Sequence, residues 1–311
     1  MPLISICIPA YKNHHYLHRL LDSISIQIFK DFEVIVSDDS PDFSVKELLA
    51  EYENKFSVKY HRNNPALGTP ANWNFAISKA VGEWIKLMHD DDWFAGSESL
   101  QIFADHTKQN KKFIFSAYTN DFEGDFPRKQ QVFMPFLWGK QILKKPDALF
   151  AKNVIGPPSV TLLHNSIDLL YDERLKWRVD QEFYIRVLSK EQSFLYINKP
   201  LINVGISASQ VTQSCKDVPA VELPEGFIML EKHGILPMKN ILIYDAWWRL
   251  FRNMDIKSEK QLKQYANKQW PTVILNMIRD LSKINKALLR NGVISKSYMF
   301  LSYLKNKSLI A

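Results

Sequence analysis

The feature that most constrains the fold is an alternation of two patterns over the first 120 residues. Five apolar, β-branched runs have the length of buried strands: residues 3–9, 32–38, 58–61, 84–88 and 113–117. Between them, apolar side chains recur at helical spacing in residues 17–24, 45–52, 71–80 and 100–107. Strands that alternate with helices predict βαβ units in a mostly parallel sheet. Ligands bind beyond the carboxyl ends of such strands, so polar residues there are the first site candidates.

The second half of the chain has a less regular pattern. Five prolines between residues 122 and 158 predict long loops. A helix is expected over residues 179–189, a strand over residues 194–198, and mainly helices from about residue 222 onward. The chain therefore combines an α/β portion with a helical C-terminal extension.

Composition indicates a globular, intracellular protein. The 311 residues are 46% apolar and 13% aromatic, which is sufficient to form a large core without disulfides. Apolar runs stay shorter than the ~18 residues that a membrane-spanning helix needs, and the N-terminus reads as a strand rather than a signal peptide. The two cysteines, Cys7 and Cys215, lie far apart and form no metal-thiolate motif. We expect reduced thiols and a cytoplasmic protein.

The positive charge is concentrated in the C-terminal segment. The net charge is +7, from 40 Lys and Arg against 33 Asp and Glu. Residues 271–311 contain seven basic side chains and one acidic one, so the remaining chain is almost neutral. This distribution directs the search for an anionic partner to the C-terminal segment.

Two acidic clusters follow strands of the predicted sheet. Asp38 and Asp39 come after the second strand, and Asp90, Asp91 and Asp92 come directly after residues 84–88. Neighbouring carboxylates repel one another unless a cation or hydrogen-bond donors neutralise them, and carboxylate oxygens suit Mg²⁺ or Mn²⁺. A solvated acidic turn is the alternative for a single cluster. Two clusters at equivalent strand ends favour a metal and phosphate site.

Five motifs follow one another in the first hundred residues: Ile6-Cys7-Ile8-Pro9-Ala10-Tyr11, the stretch from Val34 to Asp42, Gly68 with Asn72, Asn74 and Ala76, Gly82-Glu83-Trp84-Ile85, and Met88-His89-Asp90-Asp91-Asp92-Trp93. Together they resemble glycosyltransferase family 2. Their order and spacing match the family, and the last one resembles its Asp-x-Asp region. The resemblance implies a GT-A fold, a Rossmann-like and mostly parallel sheet flanked by helices. It also implies a nucleotide-sugar-binding half over residues 1–120, an acceptor-binding half over residues 121–220, and a basic helical extension over residues 221–311.

The resemblance also implies roles for residues of the first half. Pro9 and Tyr11 would flank the nucleotide, and Asp38 or Asp39 would hydrogen-bond the base. The donor contacts would also include Asn72, Asp90 and Asp91. Asp91 and Asp92 would hold ribose and a divalent cation, Mn²⁺ or Mg²⁺. Two positions depart from the family pattern, Lys12 and His89, and the second leaves open which of the three aspartates touches the ion.

In the second half, an acidic helix start is similar to the family segment that carries the catalytic base. Asp180 is the predicted base of an inverting transfer, with Glu182 as the alternative. Such a base takes the proton from the acceptor hydroxyl as its oxygen attacks the anomeric carbon. The structural alternative is that Asp180 only stabilises a helix N-terminus.

Two loops of the second half are weaker candidates. Gly156-Pro157-Pro158-Ser159 should form a rigid turn, which is either purely structural or, by resemblance, beside the acceptor pocket. Gln210 and Thr212 occupy the position of a family loop that approaches the diphosphate.

The basic tail contains a predicted amphipathic helix. Ile274, Ile278, Leu281 and Leu288 recur at helical spacing with basic residues between them. Such a helix lies on an anionic membrane or packs its apolar stripe against the protein, and for this segment the packed arrangement is preferred. Nucleic acid is not expected, because no nucleic-acid motif accompanies the charge.

The predicted function is a metal-dependent, inverting glycosyltransferase of the hexosyltransferase type. It would move a sugar from a UDP- or dTDP-sugar to a glycan or lipid-linked acceptor, in the biosynthesis of a bacterial surface polysaccharide such as O-antigen or capsule. Peripheral contact with the inner face of the membrane through residues 271–311 is part of this prediction. The alternatives are a sugar nucleotidyltransferase and a membrane-peripheral binding module with an inactive site. The first would be expected to carry a Gly-rich basic loop where Pro9 to Asn13 stand here.

Overall fold

A nine-stranded sheet is built by the first of two structural units. The computed structural model describes residues 1–124, 127–207, 215 and 217–310. The first unit comprises Met1–Leu143, Val154–Glu173 and Phe183–Gln210. The second unit comprises Lys144–Asn153, Arg174–Glu182 and Val211–Ala311.

The sheet is mixed, with a parallel half that follows the predicted βαβ order. Its strands are β1 Ile4–Ala10, β2 Phe32–Asp38, β3 Val58–Arg62, β4 Trp84–Leu87, β5 Asp92–Phe94, β6 Phe113–Phe122, β7 Arg128–Val132, β8 Thr161–His164 and β9 Leu195–Ile206. They are arranged in the order β3-β2-β1-β4-β8-β6-β9-β5, and β7 pairs with β6. Parallel pairs join β1 to β2 and β4, β2 to β3, and β6 to β9. All seven residues of β1 are buried, as expected for a central strand covered on both faces.

Six helices belong wholly or partly to the first unit. They are α1 His14–Ser25, α2 Ser44–Ala50, α3 Ala71–Ser78, α4 Ser99–His106, α5 Trp138–Lys144 and α6 Val179–Glu191. In α1, Leu17, Leu20, Leu21 and Ile24 form the buried stripe that the spacing predicts. Pro70 directly precedes α3. Short 3₁₀ helices occur at Thr107–Gln109, Pro146–Phe150, Pro158–Val160, Asn165–Ile167, Leu236–Lys239 and Lys307–Leu309.

The expectation of long loops between residues 122 and 158 was wrong in part, because β7 and α5 lie there. The side chains of β7 are Arg, Lys, Gln, Gln and Val, and the first four are exposed. An edge strand with this composition lacks the alternation by which strands are recognised. The predicted strand over residues 194–198 is the beginning of β9, which continues to Ile206 along β6.

The second unit is helical, as predicted from about residue 222 onward. Its helices after residue 217 are α7 Pro219–His233, α8 Ile241–Asn253, α9 Glu259–Tyr265, α10 Thr272–Ser282, α11 Lys286–Leu289 and α12 Gly292–Asn306. Trp247 and Trp248 are 2% and 1% exposed and belong to the core of this unit. None of the helices in the described part of the chain is long and apolar enough to cross a membrane.

The predicted amphipathic helix of the tail is divided in two. α10 ends at Ser282 and the one-turn α11 begins at Lys286. Ile274, Ile278 and Leu281 are at most 2% exposed, so the apolar stripe of α10 packs inside the second unit. The structural alternative therefore holds for this helix, and a membrane role cannot be assigned to its apolar face.

Candidate active site

Apart from Asn72 on α3 and Gln210, the predicted donor residues lie at the carboxyl ends of β1, β2 and β4, which are neighbours in the sheet. In the parallel register, Pro9 lies opposite Ser37 and Ala10 lies opposite Asp38. The N–H of Met88 donates to the carbonyl of Cys7 at 2.9 Å, so the chain after β4 emerges beside β1. The carboxyl ends of these strands bring the motif residues to one edge, where the sheet topology places a ligand.

Asp38 is fully buried and held at the end of β2 by two donors. Its carboxylate accepts from the backbone N–H of Ser40 and from the hydroxyl of Tyr60, both at 2.8 Å. Burial and the hydrogen bond to this carboxylate raise the pKa of Tyr60. The side chain of Asp38 is thus fixed in place by groups of its own unit.

Asp39 organises the loop that leads to α3. Its carboxylate accepts from Asn63 Nδ2 at 2.8 Å and from the backbone N–H groups of Leu67 and Gly68 at 3.0 and 2.8 Å. Asn63 Nδ2 also donates to the side-chain oxygen of Asn72 at 3.2 Å. One network therefore joins two predicted donor contacts, Asp39 and Asn72, through a residue that the sequence did not single out.

Tyr11 and Asp90 are joined across the ends of β1 and β4. The backbone N–H of Tyr11 donates to Asp90 Oδ2 at 3.3 Å, while the side chain of Tyr11 is 51% exposed. Burial, together with the adjacent Asp91 carboxylate, raises the pKa of Asp90 to about 7. The exposed Tyr11 ring is available to a ligand at this edge, and Asp90 is held beside it.

His89, Asp91 and Asp92 form a cluster of possible metal ligands. Each offers one ligand atom, and these atoms lie within 4.8 Å of one another. His89 Nδ1 is 3.8 Å from Asp92 Oδ2, which exceeds hydrogen-bond length. Burial and the Asp91 carboxylate raise the pKa of Asp92 well above its ordinary value, and burial lowers the pKa of His89. A neutral imidazole beside two carboxylates is a suitable donor set for a divalent cation.

Two buried polar atoms of this cluster fit a cation. Within the part of the chain that the structure describes, Asp92 Oδ2 and His89 Nε2 have no hydrogen-bond partner. Buried polar atoms without a partner are rare in native structures and indicate an absent ion, water or ligand. Asp92 Oδ1 accepts from the N–H of Gly205 at 3.2 Å, so only one of its oxygens is satisfied. The residues present fit a bound divalent cation.

Arg19, Lys86 and Ser159 support the acidic loop, and only Ser159 belongs to a segment that the sequence singled out. Arg19 Nη2 donates to the carbonyl of Asp91 at 3.3 Å, and its guanidinium lies 3.5 Å from the centre of the Trp93 ring. Ser159 Oγ accepts from the N–H of His89 at 2.9 Å. The buried Lys86 donates to the carbonyls of Ser159 and Thr161. These contacts depend on strand pairing in the first unit, which sequence spacing does not reveal.

Gly205 on β9 allows close approach to the acidic loop. A Cβ atom at this position would overlap the carbonyl oxygen of Asp91. The antiparallel register places Val204 opposite Asp92, the first residue of β5. Only glycine fits here without displacing the backbone that presents Asp91 and Asp92.

Asp180 lies in the first turn of α6, in a network of the second unit. Its Oδ2 accepts from Asn153 Nδ2 at 2.7 Å, and its Oδ1 accepts from the N–H of Gln181 at 2.8 Å. Burial raises the pKa of Asp180 to about 6, although these hydrogen bonds oppose the shift. A carboxylate with this pKa is ionised near neutral pH and still has useful affinity for a proton.

Glu182, the alternative base, is in a different environment. It is fully buried, and its Oε1 lies 2.7 Å from Lys232 Nζ. A carboxylate that is sequestered from solvent and neutralised by a lysine is a poor proton acceptor for a substrate. Of the two candidates, Glu182 is thus the less suitable proton acceptor, and Asp180 stays the predicted base.

Glu225 fixes the chain just before α6. Its carboxylate accepts from the backbone N–H groups of Lys176, Trp177 and Arg178 at 2.7 to 3.1 Å. Arg178 in turn pairs with Glu222 at 2.8 Å. These buried contacts hold the helix start that carries Asp180, and neither glutamate was singled out from the sequence.

The two loop candidates have different outcomes. Pro158–Val160 is a 3₁₀ turn, and Gly156 has φ of +115° with its carbonyl accepting from the hydroxyl of Tyr184. The predicted turn is present, and its rigidity and its proximity to an acceptor stay predictions. Gln210 and Thr212 lie outside the described residues.

A family model with the description "Glycosyl transferase family 2" matches residues 5–168, which is more than half of the chain. The chain belongs to this family. The match includes the ends of β1, β2 and β4 and the His89, Asp91 and Asp92 cluster. The protein is therefore a glycosyltransferase, as the motifs of the first hundred residues indicate.

Several curated proteins that are named as glycosyltransferases match this chain at limited sequence identity. An uncharacterized glycosyltransferase of Rickettsia typhi is 24% identical over 68% of this chain and 67% of its own length. The abequosyltransferase RfbV of Salmonella typhimurium is 35% identical over 32% of this chain and 31% of its own. The putative colanic acid biosynthesis glycosyl transferase WcaA of Escherichia coli is 28% identical over 60% and 66%. The chain spans about a third of the abequosyltransferase that it matches.

Solved structures share the fold of this glycosyltransferase. S. aureus TarS 1-349, in complex with UDP-GlcNAc, covers 99% of this chain and 90% of its own, with a TM-score of 0.64 and 18% identity. The match to the mannosyltransferase PcManGT of Pyrobaculum calidifontis, in complex with GDP-Man and Mn²⁺, covers 98% of this chain and 87% of that one. Its TM-score is 0.56 and the sequence identity is 14%. The predicted GT-A fold class is confirmed.

Proposed function

We propose that this glycosyltransferase is a metal-dependent, inverting enzyme that uses a nucleoside-diphosphate sugar. The observation that carries the proposal is the cluster of His89, Asp91 and Asp92, with two buried polar atoms that lack hydrogen-bond partners in the described chain. It follows β4 at the edge where the family motifs of β1 and β2 also end. The structural neighbours bound to UDP-GlcNAc and to GDP-Man with Mn²⁺ support this class of donor and ion.

The donor would bind at the carboxyl edge of β1, β2 and β4. Pro9 and the exposed ring of Tyr11 would flank the nucleotide, and Asp38 or Asp39 would accept a hydrogen bond from the base. Asn72 is tied to Asp39 through Asn63, so the loop and helix α3 are preorganised on this side. A UDP- or dTDP-sugar is the proposed donor.

His89, Asp91 and Asp92 would hold the divalent cation, Mn²⁺ or Mg²⁺. When bound, such a cation neutralises the diphosphate so that it departs as a stabilised anion without a protein acid. Asp90 and Asp91 would contact the donor beside it. Arg19, Ser159 and Gly205 would keep the loop in the conformation that presents these side chains.

Asp180 would act as the general base. In the ionised form, it would take the proton from the acceptor hydroxyl as that oxygen attacks the anomeric carbon. Asn153 and the N–H of Gln181 hold the two carboxylate oxygens, which fixes the side chain before the acceptor arrives. The attack inverts the configuration of the anomeric carbon because one displacement occurs.

The acceptor would be a glycan or a lipid-linked saccharide of a bacterial surface polysaccharide, such as O-antigen or capsule. Three relatives support this class of process. One is named for abequose transfer, one for colanic acid biosynthesis, and one, from Campylobacter jejuni, for transfer to an undecaprenol-linked glycan. A lipid-linked acceptor would bring the enzyme to the inner face of the cell membrane, in peripheral contact through residues 271–311.

A screen of sugar nucleotides tests the proposed function. The protein is incubated with UDP-, dTDP- and GDP-sugars in Mn²⁺ or in excess chelator, and released nucleoside diphosphate is measured. We expect slow hydrolysis of at least one UDP- or dTDP-sugar that chelation abolishes and added Mn²⁺ restores. Hydrolysis that is equally fast in chelator would contradict the metal-dependent mechanism.

A further inference from the structure

Helix α12 exposes its apolar side chains. Val293, Phe300, Leu301 and Leu304 are 77%, 47%, 61% and 54% exposed. Phe300, Leu301 and Leu304 follow Val293 by seven, eight and eleven positions, so the four side chains form one stripe along the helix. A helix that packs on a globular domain normally directs such a stripe inward.

The buried side of α12 carries three polar side chains in addition to Met299 and Tyr303. Ser295, Ser302 and Asn306 are at most 3% exposed, although they share the spacing of the apolar stripe shifted by two residues. Two residues rotate an α-helix by about 200°, so the polar stripe lies on the opposite side. Ser302 Oγ donates to Asp280 Oδ2 at 2.8 Å, and Trp248 Nε1 donates to Ser295 Oγ at 3.2 Å.

These hydrogen bonds fix the rotation of the helix. If α12 turned its apolar stripe inward, the buried partners of Ser295, Ser302 and Asn306 would lose their hydrogen bonds, which is costly. The exposed apolar face is therefore a stable feature of the second unit. A contiguous apolar surface of this kind marks an interaction site.

The chain that forms this face is rich in basic side chains. Residues 281–311 contain no acidic side chain and six basic ones: Lys283, Lys286, Arg290, Lys296, Lys305 and Lys307. Two of the six are paired with acidic side chains of the same unit, Lys286 with Asp255 and Lys305 with Asp280. Lys296 lines the same shallow groove as Val293, Ser297, Phe300 and Leu301. An apolar stripe with cations beside it is the pattern of a helix that lies in the interface of an anionic membrane.

We propose that the exposed face of α12 docks on a lipid bilayer that contains anionic phospholipids. Charge repulsion disfavours a second copy of this chain as the partner. A two-fold contact through this face would bring each Lys296 and its basic neighbours against the same basic side chains of the other copy. The proposal deepens the peripheral contact proposed above and rests on it, and it replaces α10 by α12 as the contacting helix. The apolar side chains enter the interfacial region while the lysines meet lipid phosphates.

Vesicle sedimentation tests the proposal with the full chain and no donor or acceptor. Vesicles of phosphatidylcholine are compared with vesicles that also contain phosphatidylglycerol. We expect wild-type protein to bind the anionic vesicles, and Leu301→Gln combined with Leu304→Gln to lower the partition coefficient at least about tenfold. Lys296→Gln should lower it roughly fivefold, and only on anionic vesicles.

The matched controls are Leu170→Gln, at a leucine that is 56% exposed in the first unit, and Lys260→Gln on α9. Both should bind as wild type does. Val293→Gln, at the most exposed position of the stripe, serves as a second variant if the double variant loses its far-UV circular dichroism.

Absence of wild-type binding, or equal binding by all variants, would overturn the proposal. So would a wild-type dimer that the double variant dissociates. If vesicle binding fails while sugar-nucleotide hydrolysis is intact, only the proposed membrane contact of α12 is overturned.

Discussion

The carboxylates after β4 and the carboxylate of Asp180 occupy opposite chemical environments. Asp91 and Asp92 are crowded by each other and by His89, and Asp92 Oδ2 lacks a hydrogen-bond partner within the described residues. Asp180 accepts hydrogen bonds on both of its oxygens, from Asn153 Nδ2 and from the N–H of Gln181. The first arrangement is suited to a cation and the second to a proton. Environment rather than residue type thus separates two roles that one acidic side chain can perform.

The largest effect that this comparison predicts is that of Asp180→Asn. The amide retains the size of the side chain but cannot take a proton, so kcat should fall by about 10² to 10⁴. Donor binding, measured by calorimetry, should stay within about twofold of wild type. The control is Glu182→Gln, which removes a charge from the buried pair with Lys232 and should affect thermal stability more than donor binding.

Transfer by Asp180→Asn at a wild-type rate would move the base to another residue. A combined loss of kcat and donor affinity would mean instead that Asp180 acts on the donor side, and the separation of the two roles would fail.

His89→Ala tests the cation side of the comparison. Removing one of three ligand groups should weaken Mn²⁺ binding about 10- to 100-fold, with transfer recovered in part at high Mn²⁺ concentration. Mn²⁺ binding is followed by electron paramagnetic resonance of the free ion. His164→Ala is the matched control, because His164 lies on β8 of the same unit and outside the cluster. Unchanged Mn²⁺ affinity in His89→Ala would exclude the imidazole from the site.

The pH dependence of kcat tests the proton side. The pKa of Asp180 is raised to about 6, so its carboxylate becomes protonated as the pH falls through that value. A protonated base is inactive, and kcat should therefore fall about tenfold between one unit above and one unit below pH 6, with stability of the fold checked at each pH. A flat profile from pH 7 to pH 5, at saturating donor and Mn²⁺, would contradict the assignment of Asp180 as base.

Gly205→Ala should give the smallest effect on the chemistry and a measurable effect on the fold. A Cβ there overlaps the carbonyl of Asp91, so the acidic loop must shift, at a cost of about 1–3 kcal/mol in the free energy of unfolding. Chemical denaturation measures this cost, and Mn²⁺ affinity should fall with it. Gly96→Ala is the control, because a Cβ at Gly96 meets no atom within 4 Å. Equal stability of the two variants would show that the loop tolerates the shift.

The sequence predicted the parallel half of the sheet and the edge at which the family motifs of β1, β2 and β4 end. Those predictions depend on local periodicity and on motifs at strand ends, such as Asp38 at the end of β2 and Asp90 after β4. The supports of the site were missed because they come from distant segments. Gly205 reaches Asp91 through the pairing of β5 with β9, and Asn153 reaches Asp180 from a preceding segment.

The C-terminal helices show the same limit. Periodicity located an apolar stripe on α10 but did not reveal which stripe is buried, because α10 and α12 both show helical spacing of apolar residues. The hydrogen bond that Trp248 donates to Ser295 and the one that Ser302 donates to Asp280 decide the orientation of α12. Such tertiary partners cannot be read from the spacing of one segment.

The central claim is that the carboxylates after β4 bind a cation together with the donor diphosphate. Calorimetric titration of UDP and of dTDP, with and without Mn²⁺, tests it most directly in wild type, Asp92→Asn and the exposed control Asp105→Asn. We predict metal-dependent binding of at least one of these diphosphates in wild type and in the control, and its loss in Asp92→Asn. Binding that is equally tight without Mn²⁺, or that survives unchanged in Asp92→Asn, would contradict the claim.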